Sequence, residues 1–403
     1  MNIVLACEIF PPDIGGPATY ATQLADALIR AEHTVRVITY GEVKKPFPYP
    51  VVYVSRRIPF FLRQFVYFIR LWKMTKHVDL IYAQGPSVGP AVIFVKWLKR
   101  VKVVVKYVGD QGWQQVRMGG GKVGFEEYMK SYGRIWFGWK IRLIQWWQAF
   151  SFYHAENIVV PSQYLKHIMV DYHDVRQERV VVIPNGVAVR EEAYSSVLSL
   201  RGLAKQSQQA HLNEIAMQPT IVRNDDKKNI LYVGRLENWK GIKTLLYALR
   251  SLPDEYSATI VGDGSLKKEL ELQATSYKLQ DRVSFVGRIP HNELEHYVQN
   301  AFCLYEGTEY EGMPHIVLES WSFGVPVIVS DFPANTELVN NGETGLVFRL
   351  GNAHDLAEKI QMLNSDEKLW DRLSKAGFEE HKKYDKENIM KQTMGYLGSF
   401  AER

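Results

Sequence analysis

Residues 229–264, NILYVGRLENWKGIKTLLYALRSLPDEYSATIVGDG, hold the pattern that decides the fold. The run NILYVGR reads as a buried strand broken at a Gly-Arg corner, and a helix is expected over 241–251. SATIVGDG then restarts as a strand and ends on Gly-Asp-Gly. The unit repeats downstream: helix 265–277, RVSFVGR, helix 291–300, AFCLYEG, helix 315–323, PVIVSD, GLVFRL, helix 353–364. Upstream, NIVLAC, TVRVITY, VVYVS, DLIYAQG, VKVVVKYVG and NIVVPS read as buried strands. Between the first two, TYATQLADALIRAE places Tyr20, Leu24, Ala27 and Leu28 in one stripe at helical spacing. Strands alternating with helices predict parallel sheets covered on both faces.

A strand in VVVIPNGV, 180–187, runs into a Pro-Asn-Gly turn, which sets the expected boundary. The chain is therefore read as an α/β protein with domains 1–187 and 188–384 and a terminal helix, 385–403, packing back on the first. Residues 190–228 are polar and aperiodic apart from a possible helix near 199–216.

A length of 403 residues suits two domains, and 46% hydrophobic with 23% charged residues is a globular balance. Cys7 and Cys303 lie in separate apolar runs, which reads as buried, reduced thiols with neither disulfide nor zinc spacing. The stretch MNIVLACEIFPP has no basic start and is cut by Glu8 and two prolines, so it reads as a strand, not a signal peptide. No apolar run is long enough for a transmembrane helix. The net charge of +5 hides an asymmetry: residues 1–187 carry 24 Lys and Arg against 13 Asp and Glu, and 188–403 carry 25 against 31. A basic first half suits an anionic partner.

In open α/β sheets ligands bind outside the carboxyl ends of the strands. Four corners there carry chemistry. Gly15 and Gly16 in FPPDIGGPATY let backbone approach a ligand at a helix start. Arg235 and Lys240 in VGRLENWKG flank a strand exit and could clamp a diphosphate. Gly262, Asp263 and Gly264 form a second strand-exit turn. In TEYEGMPHIVLES, 308–320, Gly312 and Pro314 open a helix whose first amides could cradle phosphate oxygens, with Glu311 before it and Glu319 inside it. Each corner alone also fits an ordinary turn or a solvated charge.

In this order, Gly-Gly, G-R-x4-K, G-D-G, F-x-G and E-G-x-P-x4-E followed by G-x-P-V-I, the chain resembles the retaining glycosyltransferases of family 4, from Asn2 to about Gly377. The resemblance implies a GT-B fold: two facing Rossmann-like domains with an interdomain cleft, donor nucleotide-sugar on the second and acceptor on the first. It further implies that Arg235, Lys240 and Gly16 hold the donor diphosphate and stabilise the leaving nucleotide. Arg288 and Ile289 would border the base, Glu319 the ribose and Glu311 the sugar. The amides of Gly312, Met313 and His315, around Pro314, would lie along the phosphate and sugar. Glu309 has no assigned part.

No D-x-D sequence occurs, so no metal is expected; the co-substrate is expected to be a UDP- or GDP-sugar. The chain departs from the family pattern in three places. Asp110 in YVGDQGW stands where many members have histidine, either orienting a sugar or acceptor group or capping a helix. FPANTE replaces the usual Gly-Gly after VSD, and Met313 replaces a common aromatic.

Residues 56–142 hold 17 Lys and Arg against 4 acids. Phe61, Phe65, Phe68 and Trp72 share one helical face opposite Arg63 and Arg70, and GRIWFGWKIRLIQWWQAF is a second aromatic-basic helix. The stripe is expected to pack on the sheet, while the basic face and outer tryptophans touch an anionic membrane. Nucleic acid is a poor alternative, as no recognition motif accompanies the charge.

The function expected is retaining sugar transfer to an acceptor hydroxyl in cell-surface polysaccharide or lipid-linked glycan synthesis, in the cytoplasm or at the inner membrane face. The alternatives are a non-catalytic nucleotide-sugar-binding subunit and a sugar-nucleotide epimerase on the same fold.

Overall fold

The short β-branched runs all enter parallel sheets, where residues alternate between two covered faces. The computed structural model describes residues 1–13, 15–42, 46–132, 137–195, 197 and 228–400. The expected helix near 199–216 and residues 133–136 of the second aromatic stretch lie outside these. Two compact units form, Met1–Gly186 with Glu387–Arg403, and Val187–Lys386.

In the first unit the strands are β1 (Asn2–Cys7), β2 (Thr34–Tyr40), β3 (Val51–Val54), β4 (Leu80–Gln84), β5 (Lys102–Lys106), β6 (Asn157–Val160) and β7 (Val180–Val182). They lie in the order β3-β2-β1-β4-β5-β6-β7. The helices are α1 (Gly16–Arg30), α2 (Phe60–Met74), α3 (Gly89–Lys99), α4 (Gln111–Met118), α5 (Phe125–Lys130), α6 (Trp139–His154) and α7 (Gln163–Asp171).

The second unit has β8 (Lys228–Val233), β9 (Tyr256–Val261), β10 (Val283–Gly287), β11 (Cys303–Glu306), β12 (Val327–Ser330) and β13 (Leu346–Phe348), in the order β10-β9-β8-β11-β12-β13. Its helices are α8 (Ile242–Ser251), α9 (Lys267–Ser276), α10 (His291–Gln299), α11 (His315–Ser322), α12 (Pro333–Leu338), α13 (Ala353–Ser365) and α14 (Glu367–His381). Along β8, Ile230 and Tyr232 enter one core and Leu231 and Val233 the other, which is why the strand is apolar throughout. Both sheets reverse strand order once, between β1 and β4 and between β8 and β11. These reversals are the topological switch points where such sheets bind ligands.

The last helix, α15 (Lys386–Gly398), places Ile389, Met390 and Leu397 in the core of the first unit beside Tyr20 and Leu24. Cys7 and Cys303 are buried and unpaired, and burial, helped by Glu8, pushes the Cys7 thiol up to about 12.

One packing expectation is overturned. The α2 stripe does not pack on the sheet: Phe61 is 66% exposed, Phe65 59% and Trp72 40%, while Tyr67 and Leu71 are buried. The Tyr67 hydroxyl donates to the Ile38 carbonyl at 3.2 Å and ties that other face to β2. Helix α2 is apolar around most of its circumference, so spacing alone offers two inward faces, and tertiary contacts select one.

Candidate functional site

The corners after β8, β9 and β10 are stitched together through backbone. Gly234 N–H donates to the Val261 carbonyl at 3.0 Å, and Gly262 N–H to the Gly287 carbonyl at 2.8 Å. Leu236 N–H reaches the Asp263 carbonyl at 3.0 Å. A Cβ on Gly264 would lie 2.4 Å from the Leu236 carbonyl oxygen, and one on Gly262, at φ +136°, 1.8 Å from that of Gly234. The Gly-Asp-Gly sequence is therefore demanded by one loop crossing another. Asp263 caps its own turn through Gly264 N–H at 2.9 Å and faces Arg288, Nε to Oδ2, at 3.6 Å. Ile289 packs against the core beside them.

After β8 the chain makes a 3-10 turn, Asn238–Lys240, and Gly241 turns into α8 at φ +69°. The Arg235 guanidinium lies 5.5 Å from the centre of the Trp239 ring. Lys240 is buried, and its ammonium bonds the Glu311 carboxylate and lies 3.7 Å from Glu306 Oε1. Burial would lower the lysine pKa, but Glu306 and Glu311 outweigh it and hold it above its ordinary value. Burial pushes the Glu306 carboxyl up to about 7, against the pull of Lys240 and with the push of Glu311.

The loop after β11 is braced on both sides. Glu309 N–H donates to the Trp239 carbonyl at 2.8 Å, and the buried Thr308 hydroxyl bonds the Tyr310 carbonyl at 2.8 Å. Ser330, at the end of β12, donates to the Thr308 carbonyl at 2.7 Å. Gly312, Met313 and Pro314 are buried, and Pro314 immediately precedes α11, whose first residue is His315. Glu319 lies in the second turn, half-buried. Burial pushes its carboxyl up, while His291 and Arg190 pull it down. Arg190 is itself paired with Glu295.

In the first unit Gly15 and Gly16 open α1, and a Cβ on Gly16 would meet nothing within 4 Å. Asp110 is wholly buried: it caps α4 by accepting from Trp113 N–H at 2.7 Å. Of the two expected roles, the geometry shows the helix cap, and the carboxylate is closed off from solvent. Burial pushes its pKa to about 6.

The sequence reading thus has Arg235, Lys240, Glu311 and the Gly312–His315 corner brought together at the β8/β11 switch point, with Asp263 and Arg288 paired at the β9/β10 corner. Two acids escaped it. Glu306, the last residue of β11, completes the pocket around Lys240. Glu8, just past β1, accepts from Ser87 N–H and the Gln111 side chain and packs on Gly85. The signal available for both was an acid closing an otherwise apolar strand.

The family model of the glycosyl transferases group 1 matches residues 215–380, and the glycosyl transferase 4-like domain matches residues 15–186. The chain is 24% identical to an uncharacterised glycosyltransferase of Methanocaldococcus jannaschii, across 98% of this chain and 97% of that one. It is also 24% identical, over 60% of each chain, to the capsular polysaccharide biosynthesis glycosyltransferase CapM of Staphylococcus aureus. Several further curated relatives are matched over about half their length. The fold is that of HepE of Anabaena, solved in complex with UDP, with a TM-score of 0.73 at 19% identity over 99% of this chain and 100% of HepE.

Proposed function

The chain belongs to the group 1 glycosyl transferases, and from that premise we propose that it is a retaining, metal-independent enzyme using a nucleotide-diphosphate sugar. The observation that carries this reading is the buried Lys240, held by Glu306 and Glu311 at the β8/β11 switch point with Arg235 on the same corner. Two cations there suit a diphosphate, and the amides around Gly312, Met313 and His315 suit its oxygens. HepE has been solved with UDP and with UDP-glucose, which favours UDP over GDP as the carrier.

In this proposal the diphosphate takes the place of the Glu311 carboxylate on the Lys240 ammonium. Glu311 is then released to hold the sugar hydroxyls, Glu319 accepts from the ribose, and Arg288 with Ile289 borders the base. The bond from the sugar C1 to the phosphate oxygen breaks, and the acceptor oxygen bonds C1 on the same face. The acceptor's proton passes to the departing phosphate, whose charge Lys240 and Arg235 stabilise. Asp110 acts at a distance, by fixing the start of α4 through its cap.

The acceptor is a polysaccharide or lipid-linked glycan hydroxyl, in keeping with CapM, a capsular polysaccharide biosynthesis glycosyltransferase. In this proposal the enzyme works in the cytoplasm or at the inner face of a membrane, with the acceptor bound by the first unit.

Thermal-shift measurement against UDP-, GDP-, ADP- and dTDP-sugars, with Lys240→Ala beside wild type, tests the donor site. One nucleotide should stabilise wild type and not the variant; equal stabilisation of both would refute the assignment. Product analysis with EDTA present tests the rest. Transfer that persists and keeps the anomeric configuration supports the proposal, whereas an epimer formed without acceptor would overturn it.

A further inference from the structure

We propose that the outer surface of helices α2, α3 and α6 docks the first unit on an anionic lipid bilayer. This goes beyond the donor-site reading and does not rest on it. Of the seventeen large apolar side chains exposed among the described residues, eleven lie on these three helices. They include Phe61 at 66% exposed, Phe65 at 59%, Trp97 at 48%, Trp139 at 58% and Trp146 at 55%.

The three helices form one surface. Helix α3 packs against both α2 and α6. Phe60 stacks on Trp147 with ring centres 5.1 Å apart, and Trp97 meets Phe150 edge-on at 5.6 Å. Exposed apolar area of this extent on a soluble protein marks a surface that is covered in use.

Charge identifies the cover. The three helices carry seven lysines and arginines and no aspartate or glutamate. Several cations sit over the aromatic rings: Lys99 Nζ lies 4.8 Å from the centre of Trp72, and Lys140 Nζ 5.7 Å from that of Trp139. A second copy of the chain would bring two cationic faces together without a counter-charge. A bilayer with anionic headgroups supplies both what tryptophan and phenylalanine need and what lysine and arginine need, at adjacent depths. No helix among the described residues is long and apolar enough to cross a membrane, so the contact is in the plane of the interface.

Flotation of the full chain with phosphatidylcholine vesicles, with and without phosphatidylglycerol, is the test. Wild type should float only with the anionic vesicles, less so at high salt. The double variants Phe61→Ser/Phe65→Ser and Lys140→Glu/Arg142→Glu should each lower the partition coefficient about tenfold. All four side chains are outside the core, so circular dichroism and the donor thermal shift should be unchanged, which separates this result from failure of the donor site. No binding to anionic vesicles, or undiminished binding by Phe61→Ser/Phe65→Ser, would overturn the proposal. So would a lipid-free dimer in sedimentation velocity that the same variant abolishes, since a second copy would then be the cover.

Discussion

Glu306 Oε1, at the end of β11, lies 3.7 Å from Lys240 Nζ, in the turn that follows the neighbouring strand β8, with both side chains buried. Its carboxyl titrates near about 7 in the folded chain against an ordinary value of 4.5, chiefly because burial disfavours the charge. The folded state thus binds the proton more tightly, so this contribution to stability is complete below about 4.5 and is lost as pH rises through about 7. Glu306→Gln removes that dependence. Urea unfolding at pH 5 and pH 8 should show wild type gaining on the variant at the lower pH by on the order of 2–3 kcal/mol. Parallel profiles would mean that Glu306 is ionised throughout.

Gly16 and Gly264 separate ligand approach from backbone packing. Gly264→Ala drives a methyl into the Leu236 backbone and should cost about 2–4 kcal/mol in unfolding free energy. Gly16→Ala meets open space and lies at a helix start, so stability should change by less than about 1 kcal/mol. Its kcat/KM should nonetheless fall, because the added methyl occupies the space proposed for substrate. A fully active Gly16→Ala enzyme would remove that loop from the site.

In the proposed donor site Glu319 reads the ribose. Glu319→Gln should weaken binding of the preferred nucleotide about tenfold, as expected for losing hydrogen bonds to a charged acceptor. Calorimetry with the ribonucleotide and its 2′- and 3′-deoxy analogues checks this. The deoxy penalty should shrink in the variant, and an unchanged penalty would assign the ribose elsewhere.

Asp110 should behave as a structural group. Asp110→Ala leaves Trp113 N–H without its acceptor in a buried place and should cost about 2–3 kcal/mol. Asp110→Asn keeps an acceptor and avoids burying a charge, so chemical denaturation should find it within about 1 kcal/mol of wild type. A well-folded Asp110→Asn enzyme with kcat reduced a hundredfold or more, roughly the effect of losing a transition-state contact, would instead place the carboxylate on substrate.

Strand positions were legible because each depends on a few adjacent side chains. The run NILYVGR had to be a buried strand, and the Gly-Asp-Gly corner had to be tight. The purpose of the tightness was not legible: spacing alone could not distinguish a ligand from the neighbouring Leu236 loop at Gly264. The α2 helix was legible, but its inward face was not, since Tyr67 and Leu71 compete with the aromatic stripe on equal local terms.

By itself the sequence determined the alternation of strands and helices, the order of the charged corners and the basic first half, all products of short-range pattern and composition. Tertiary structure alone decided what those corners meet. Strand β11 inserts beside β8 although β9 and β10 come between them in the chain, and that reversal brings Glu306 and Glu311 to Lys240. It also decided which face of α2 is buried and that Asp110 points inward, because burial depends on neighbours that no local window contains.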